Sequence, residues 1–293
     1  MTDPIRYIER TRRYYAALGY TEPYRWAQHE GAPFQPLAKP LSDSRLALIT
    51  TATPIATEPG RYDATGKFFA AYSGDPAEEH DLRINHVAID FKHTTGEDQR
   101  SYFPLHALRR AVAAHGSKGG RIGALTRFHG APTNRSQRVT RETDAPEILR
   151  RCREDGADAA VLVPNCPVCH QTVSLIARHL EANGIATVIM GCAKDIVELC
   201  GVPRFLFSDF PLGNAAGKPH DPASQDLTLG LALDLLEQAT APRTTVQSPL
   251  RWSDDEAWKR DYGNVEGLSA AELERLRAEF DAGKAVAQRR RTS

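Results

Sequence analysis

The sequence predicts an α/β fold: a doubly wound, mostly parallel sheet with helices on both faces, preceded by a helical N-terminal arm and followed by a C-terminal helix. Three observations predict it. Short apolar runs alternate with amphipathic stretches from Arg45 to Ala239, the order expected of strand–helix units that share one sheet. The 293 residues suffice for one substantial core with appendages. A 41% hydrophobic and 25% charged content is that of an ordinary soluble globular chain, not a membrane-spanning or disordered one.

Arg45–Thr51 (RLALITT) reads as the first strand and Ile84–Asp90 as the second. Leu105–Ala114 is helical by its apolar spacing, and Arg121–Phe128 is a third strand. Pro146–Asp155 makes the next helix with Asp144 as its N-cap, since an Asp there accepts from the free N–H groups of a first turn. Asp158–Val163 is the central strand and Gln171–Ala182 the amphipathic helix after it. Ala186–Met190 is the next strand and Ile196–Cys200 a short helix. Arg204–Ser208 is the last strand, and Leu227–Ala239 the closing helix. The chain therefore divides into an arm (1–44), an α/β domain (45–241) and a C-terminal extension (242–293).

Tyr7, Tyr14, Tyr15, Tyr20, Tyr24 and Trp26 crowd the arm. Packing onto the main domain, or across a dimer, is their simplest use, and closing an active site is the other. In the extension, Pro242–Glu256 is polar and without periodicity, whereas Ala270–Lys284 is an amphipathic helix. Ser269 and Glu272 fit a capping box at its start, and Leu268 with Leu273 a hydrophobic staple.

Lys plus Arg and Asp plus Glu number 37 each, so no global field draws the chain to nucleic acid or an anionic membrane. The basic run Gln288–Arg291 is a solvated tail. Met1–Arg13 lacks the apolar segment of a leader, and no run approaches the ~20 apolar residues that span a bilayer. A cytoplasmic protein is expected. The five cysteines, an odd count, argue against a disulfide framework and for catalytic or redox use of a subset.

Val161–Val163 runs through Pro164-Asn165 into Cys166-Pro167-Val168-Cys169-His170, and a helix follows at once. A thiol there lies at a strand's carboxyl end, where open α/β sheets bind ligands, and at a helix N-terminus, whose dipole favours thiolate. Pro167 suits the first helical turn because its missing N–H costs nothing there. In such a pair the first thiol attacks and the second resolves the adduct as a disulfide. Two other readings stay open: half a zinc site completed by Cys192, Cys200 or a histidine, and inert buried cysteines. No second Cys-x-x-Cys supplies the usual zinc spacing. A thioredoxin-like fold carries its pair near the domain start, and here the pair lies mid-domain.

Glu154-Asp155-Gly156-Ala157-Asp158-Ala159-Ala160-Val161-Leu162, then Cys166–His170, then Asn183-Gly184-Ile185-Ala186-Thr187-Val188, resemble the selenoprotein B family of glycine, sarcosine, betaine and D-proline reductases. They are most similar to its D-proline reductase branch. Phe103-Pro104, Glu142-Thr143 with Pro146-Glu147-Ile148, and Pro211-Leu212-Gly213-Asn214 with Gly217 and Pro219 extend the likeness to about two thirds of the chain. The resemblance puts Cys166 where the family has selenocysteine, Cys169 on its partner cysteine, and His170 on a histidine of that branch. It implies reductive cleavage of a small amino-acid-derived substrate, activated as a Schiff base on the pyruvoyl group of another subunit. No cysteine here follows a serine or threonine, so this chain shows no pyruvoyl precursor of its own.

Cys166, Cys169, His170, His129 and His86 are thus the candidate catalytic residues, with His86 or His129 as acid for a leaving amine. Asp90, Asp98, Gly213, Asn214 and Cys192 are candidates for holding substrate. His86, Asp90 and Asp98 approximately match a His and two Asp of the proline-reductase branch. The Gly213–Asn214 turn offers backbone N–H groups to a carboxylate. Cys192 ends the neighbouring strand. Cys152 and Cys200 are expected to be buried small hydrophobes.

The expected activity is cleavage of a carbon–heteroatom bond, C–N or C–S, by the dithiol, with an external thiol or thioredoxin-like donor restoring it. No metal, flavin or nicotinamide is called for, as no Gly-x-Gly-x-x-Gly follows a strand. The expected partners are a small-molecule substrate, that dithiol donor and, by the resemblance, a pyruvoyl-bearing subunit, in a homo-oligomer. The alternatives are a redox-switch or partner-binding subunit without turnover, and a zinc-stabilised interaction protein.

Overall fold

The computed structural model describes residues 3–54, 70–85, 89–90, 92–113, 120–132 and 136–292. Among them, eight strands form one sheet: β1 (Arg45–Thr50), β2 (Tyr72–Gly74), β3 (Ala124–Leu125), β4 (Phe128–Gly130), β5 (Ala159–Val163), β6 (Ala186–Gly191), β7 (Arg204–Phe207) and β8 (Thr244–Gln247). Their order is β2-β4-β1-β5-β6-β7-β8, with β3 also pairing β1, and every pairing is parallel except β2 with β4. The sheet is thus the mostly parallel one expected.

Strand alternation sends side chains to two cores. Leu46, Leu48, Val161, Val163, Val188, Met190 and Leu206 face α2 (Leu105–Val112) and, later in the chain, α7 (Pro222–Gln238). Ala47, Ile49, Ala160, Leu162, Ile189 and Phe205 face α4 (Ala145–Glu154) and α5 (Pro167–Glu181). β5 reads as a continuous apolar run because helices cover both of its faces. Leaving β1, the chain crosses the first face to β4. It returns over the second face to β5, on the other side of β1, and then moves on to β6. Connections from the adjacent carboxyl ends of β1 and β5 therefore run in opposite directions, which makes the crevice between them the topological switch point.

The remaining helices are α1 (Tyr7–Ala17) in the arm, α3 (Gln137–Val139), α6 (Lys194–Cys200), α8 (Trp258–Asp261) and α9 (Ala270–Thr292). The capping box of α9 is formed: Ser269 N–H donates to Glu272 Oε2 at 2.8 Å, and Glu272 N–H to Ser269 Oγ at 3.3 Å.

The sequence reading needs four local corrections. The described part of Ile84–Asp90 is not a strand. Leu82, Ile84 and Ile89 are apolar because they lie in a loop packed on the first core, held by an antiparallel bridge from Thr53 to Arg83 and by bonds between the Leu82 backbone and the side chains of Gln99 and Tyr102. The strand expected at Arg121–Phe128 is two short pieces that end at Gly130. Asp144 does not cap a helix, because the helix already starts at Gln137 under Ser136, whose Oγ accepts the Val139 N–H. It passes Pro146 through one π turn, Thr140–Asp144, which absorbs the missing N–H and the crowding ring. The polar stretch after Pro242 includes β8, a half-exposed edge strand that extends the sheet past residue 241.

Arg204 and Glu181 form a fully buried ion pair at 2.8 Å at the base of the second face. Glu181 also accepts from Thr187 and from the Gln35 N–H, while Arg204 Nη2 donates to Gln35 O at 2.8 Å and its guanidinium stacks on Phe34. The end of the arm is pinned to the sheet there. No helix of the described residues is long and apolar enough to cross a membrane.

Candidate active site

Cys166 follows β5 directly and is the N-cap of α5, with extended φ, ψ of −123° and 170°. Its Sγ accepts the Cys169 N–H at 3.3 Å, a free donor of the helix start that stabilises negative charge on sulfur. Pro167 sits at the first helical position, as expected. One turn on, Cys169 brings its Sγ to 2.7 Å from that of Cys166, the two not joined as a disulfide. A disulfide, at about 2.05 Å, lies a small displacement away.

His170 is fully buried and committed on both ring nitrogens. Nδ1–H donates to the Cys166 carbonyl at 2.8 Å, and Nε2 accepts the N–H groups of Cys192 (2.9 Å) and Ala193 (3.1 Å). Burial pushes its pKa down to about 4, so the ring is neutral with a fixed tautomer. It is a brace between the first turn of α5 and the end of β6, not a source of protons. Gly191 makes room for it: a Cβ there would lie 2.9 Å from His170 Cδ2.

Cys192 is on the same face of the sheet as Cys166 and Cys169. Burial, with the charge of Asp209 adding to it, pushes the Cys192 thiol far up, which keeps it protonated. Two tyrosines from opposite ends of the chain pack on the core cluster that holds these thiols. Tyr7 of α1 and Tyr262 after α8 meet edge to face with ring centroids 5.2 Å apart, and Arg10 Nη1 donates to Tyr262 O at 2.6 Å. Burial raises both hydroxyls well above the usual tyrosine range. The charges of Cys192, Asp90 and Asp209 add to this at Tyr7, and those of Cys166 and Asp90 at Tyr262. α8 is anchored beside them by Lys259 on Asp209, and Asp261 by Lys92 (2.8 Å) and His93 (2.9 Å). Cys166 is left 4% exposed. Between the arm and the extension lies an open cleft of about 810 Å³, whose lining mixes Arg6, Arg10 and Arg260 with Asp3, Glu9 and Glu256.

Asp90 lies near these tyrosines, buried, with Oδ1 accepting the His93 N–H at 3.2 Å and Oδ2 without a partner among the described residues. Burial raises its pKa above the usual carboxylate range. The side chains of Asn165 and Ser208, at the carboxyl ends of β5 and β7, also hold buried polar atoms without a partner among the described residues.

Of the other candidates, Asn214 directs its backbone N–H to the Cys192 thiol, whereas His129 and Asp98 are not brought to the thiols. His86 lies outside the described residues. His129 points to the opposite face, with Nδ1 at 3.0 Å from Ser73 Oγ and Nε2 at 3.5 Å from Asp155, and burial pushes its pKa down to about 4. Asp98 spends both oxygens on structure, accepting from the N–H (3.1 Å) and Nε (2.6 Å) of Arg100, the His220 N–H (2.7 Å) and Gln225 Nε2 (3.0 Å). Against the upward push of burial, these bonds hold its pKa below normal. Gly213, at φ +98°, turns the chain against Thr94, and Asn214 Nδ2 donates to Thr94 Oγ1 at 2.8 Å. Burial pushes the thiols of Cys152 and Cys200 up to about 12, as inert core cysteines require.

Asn165, Ser208, Tyr262 and the Lys259–Asp209 pair join the site without being among the residues the sequence singles out. Polar residues immediately after apolar strands (Pro164-Asn165, Ser208-Asp209) are a readable signal for three of these. Tyr262 lies in a stretch without periodicity and offers none. Among the described residues no three His, Cys, Asp or Glu side chains are grouped to hold a metal.

No family model matches the chain, and no solved structure matches it. The D-proline reductase subunit gamma of Acetoanaerobium sticklandii is 30% identical over 198 residues, which are 65% of this chain and 77% of that protein. With that identity and coverage, the chain belongs to the reductase family of the D-proline reductase gamma subunit.

Proposed function

We propose that this chain is a dithiol reductase that cleaves a carbon–heteroatom bond next to a carbonyl or iminium group. The Cys166 thiolate attacks the carbon, forming a C–S bond as the heteroatom leaves with the C–X electron pair and takes up a proton. Cys169 then attacks the sulfur of the Cys166 adduct. The S–S bond forms, the C–S bond breaks, and the carbon keeps its electron pair and gains a proton. The substrate carbon is reduced by two electrons and the dithiol oxidised to a disulfide, which an external dithiol resets. The departing carbon must carry a pair of electrons, so the substrate needs an adjacent electron-withdrawing group. A pyruvoyl-bearing partner subunit would supply one as an iminium. A free α-substituted carbonyl compound already has one.

The observation that carries this reading is the pair of reduced sulfurs 2.7 Å apart at the N-terminus of α5 and beside the switch point. Support also comes from the buried, unpartnered polar atoms of Asn165 and Ser208, which suit a small polar substrate. Cleavage of amino-acid-derived substrates, as the relative's name suggests, fits the same steps. The test uses reduced protein and an α-substituted ketone without added thiol. One equivalent of reduced ketone and one Cys166–Cys169 disulfide should form per chain. A Cys169→Ser variant should stop at the covalent adduct, seen in the intact mass. Turnover that survives Cys166→Ser would rule the reading out.

A further inference from the structure

The dithiol step needs a proton for the leaving heteroatom, and the site shuts out bulk water. Most titratable groups nearby are already committed. His170 is neutral with both nitrogens bonded, His129 is on the other face, Asp98 holds four hydrogen bonds, and Asp209 is paired with Lys259. Asp90 differs from all of them. It is 4% exposed, and its Oδ2 has no partner among the described residues. His93, in the same loop, bonds Asp261 at 2.9 Å, next to Tyr262. Tyr262 meets Tyr7 edge to face and packs on the core cluster that holds Ile89, Cys166 and Cys192, so the carboxyl lies on the tyrosine side of the core that carries the thiols. Among the described residues, the groups that face Asp90 are Lys92 and His93 from its own loop, Tyr7 from α1, and Asp261 and Tyr262 from the extension. Asp261 is itself occupied by Lys92 and His93.

Resting on the dithiol reading above, we propose that Asp90 is the general acid of the site, giving its proton to the leaving heteroatom as the Cys166–carbon bond forms. Asp90 ends that half-reaction as a carboxylate, and it regains the proton that the Cys166 thiol released on becoming a thiolate. The Cys169 proton goes to the carbon when the disulfide forms. Per turnover, two protons and two electrons leave the dithiol, and Asp90 returns to its starting state. Burial, which keeps the carboxyl protonated at higher pH than a solvated one, fits this role.

The test compares phenacyl phenyl ether with phenacyl 4-nitrophenyl ether, both cleaved to acetophenone. Asp90→Asn retains an oxygen for the His93 N–H, so the loop is kept. General acids typically contribute about 10²- to 10⁴-fold. The Asn variant should be about 100-fold slower on the phenyl ether and within a few-fold of the parent on the nitrophenyl ether, whose leaving group needs no proton. The parent at neutral pH should also show the infrared carbonyl stretch of a protonated carboxyl that the Asn variant lacks. Equal losses on both ethers, no loss on either, or no such band overturns the role of Asp90, while the dithiol reading stands as long as Cys166→Ser abolishes turnover. Turnover that survives Cys166→Ser overturns both.

Discussion

The backbone N–H of Cys192 donates to His170 Nε2 at 2.9 Å, tying the end of β6 to the first turn of the helix that carries the dithiol. The same ring holds the Cys166 carbonyl from its other side, so the nucleophile's backbone is positioned through a neutral imidazole. The arrangement is stable only while His170 stays unprotonated, since a proton on Nε2 would face two N–H donors.

This dependence predicts acid sensitivity of the fold. His170 has a folded pKa of about 4 against 6.5 for an ordinary histidine. Between those values the unfolded chain binds a proton that the folded chain does not, so stability falls as the pH is lowered through the window and is fully present above it. The difference corresponds to about 3 kcal/mol, and His129 adds a shift in the same direction. Urea midpoints measured from pH 7.5 to 4.5 should decline steadily. His170→Phe should cost about 3 kcal/mol at pH 7, because it leaves buried N–H and C=O groups unpaired, and should flatten the decline. An unchanged slope in that variant would contradict the neutral brace.

Gly191 predicts a steric coupling to the same ring. Its φ lies outside the left-handed region, so Gly191→Ala tests contact alone, and the new Cβ would sit 2.9 Å from Cδ2 and 3.0 Å from Nε2 of His170. Overpacking of this kind costs about 1–3 kcal/mol. The variant should melt lower and react more slowly at Cys166 with a small alkylating agent, as the ring and the Cys166 carbonyl shift together. Parent-like melting and alkylation would mean that the ring does not hold the thiol in place.

The parts of this protein with local signatures were readable in its sequence. β1, β5, β6 and β7 are apolar runs buried on both faces, and the α9 capping box is written in Ser269 and Glu272. The dithiol is written in its spacing. Long-range effects were not readable. The loop holding Leu82, Ile84 and Ile89 imitates a strand because it packs on the core, and β8 looks like a polar linker because it is a half-exposed edge. His129 seemed equivalent to His170 by type, and only the alternation of faces along β4 separates it from the thiols. Tyr7 and Tyr262 lie more than 250 positions apart in the chain, so no local pattern joins them.

The buried Arg204–Glu181 pair predicts an asymmetric response to substitution. Glu181→Gln leaves a guanidinium buried beside a neutral amide and should cost about 3–5 kcal/mol, as for other broken buried pairs. Replacing both residues with similarly sized apolar side chains should cost less than that single change, because no charge is stranded. In the double variant the Gln35 backbone bonds are lost as well, so limited proteolysis near Phe34–Gln35 should quicken there more than in Glu181→Gln. A double variant less stable than the single would show that the pair stabilises the fold on balance.

Tyr262 predicts how reagents reach the dithiol. Cys166 is 4% exposed and shares a core cluster with Tyr7, on which Tyr262 packs, so reaction is expected to need these rings to shift against their edge-to-face contact and the Arg10 bond. An aromatic pair of this kind contributes about 0.5–1.5 kcal/mol beyond its buried area. Removing one ring by Tyr262→Ala also takes away that area, so a rise of about tenfold or more in the rate of Cys166 alkylation by iodoacetamide is expected. Labelling of Cys152, in the second core, serves as the control for general loosening. If Cys166 and Cys152 speed up equally, the variant has loosened the whole fold and the tyrosines are not a specific cover. If only Cys166 responds, the arm and the C-terminal extension together govern access to the nucleophile.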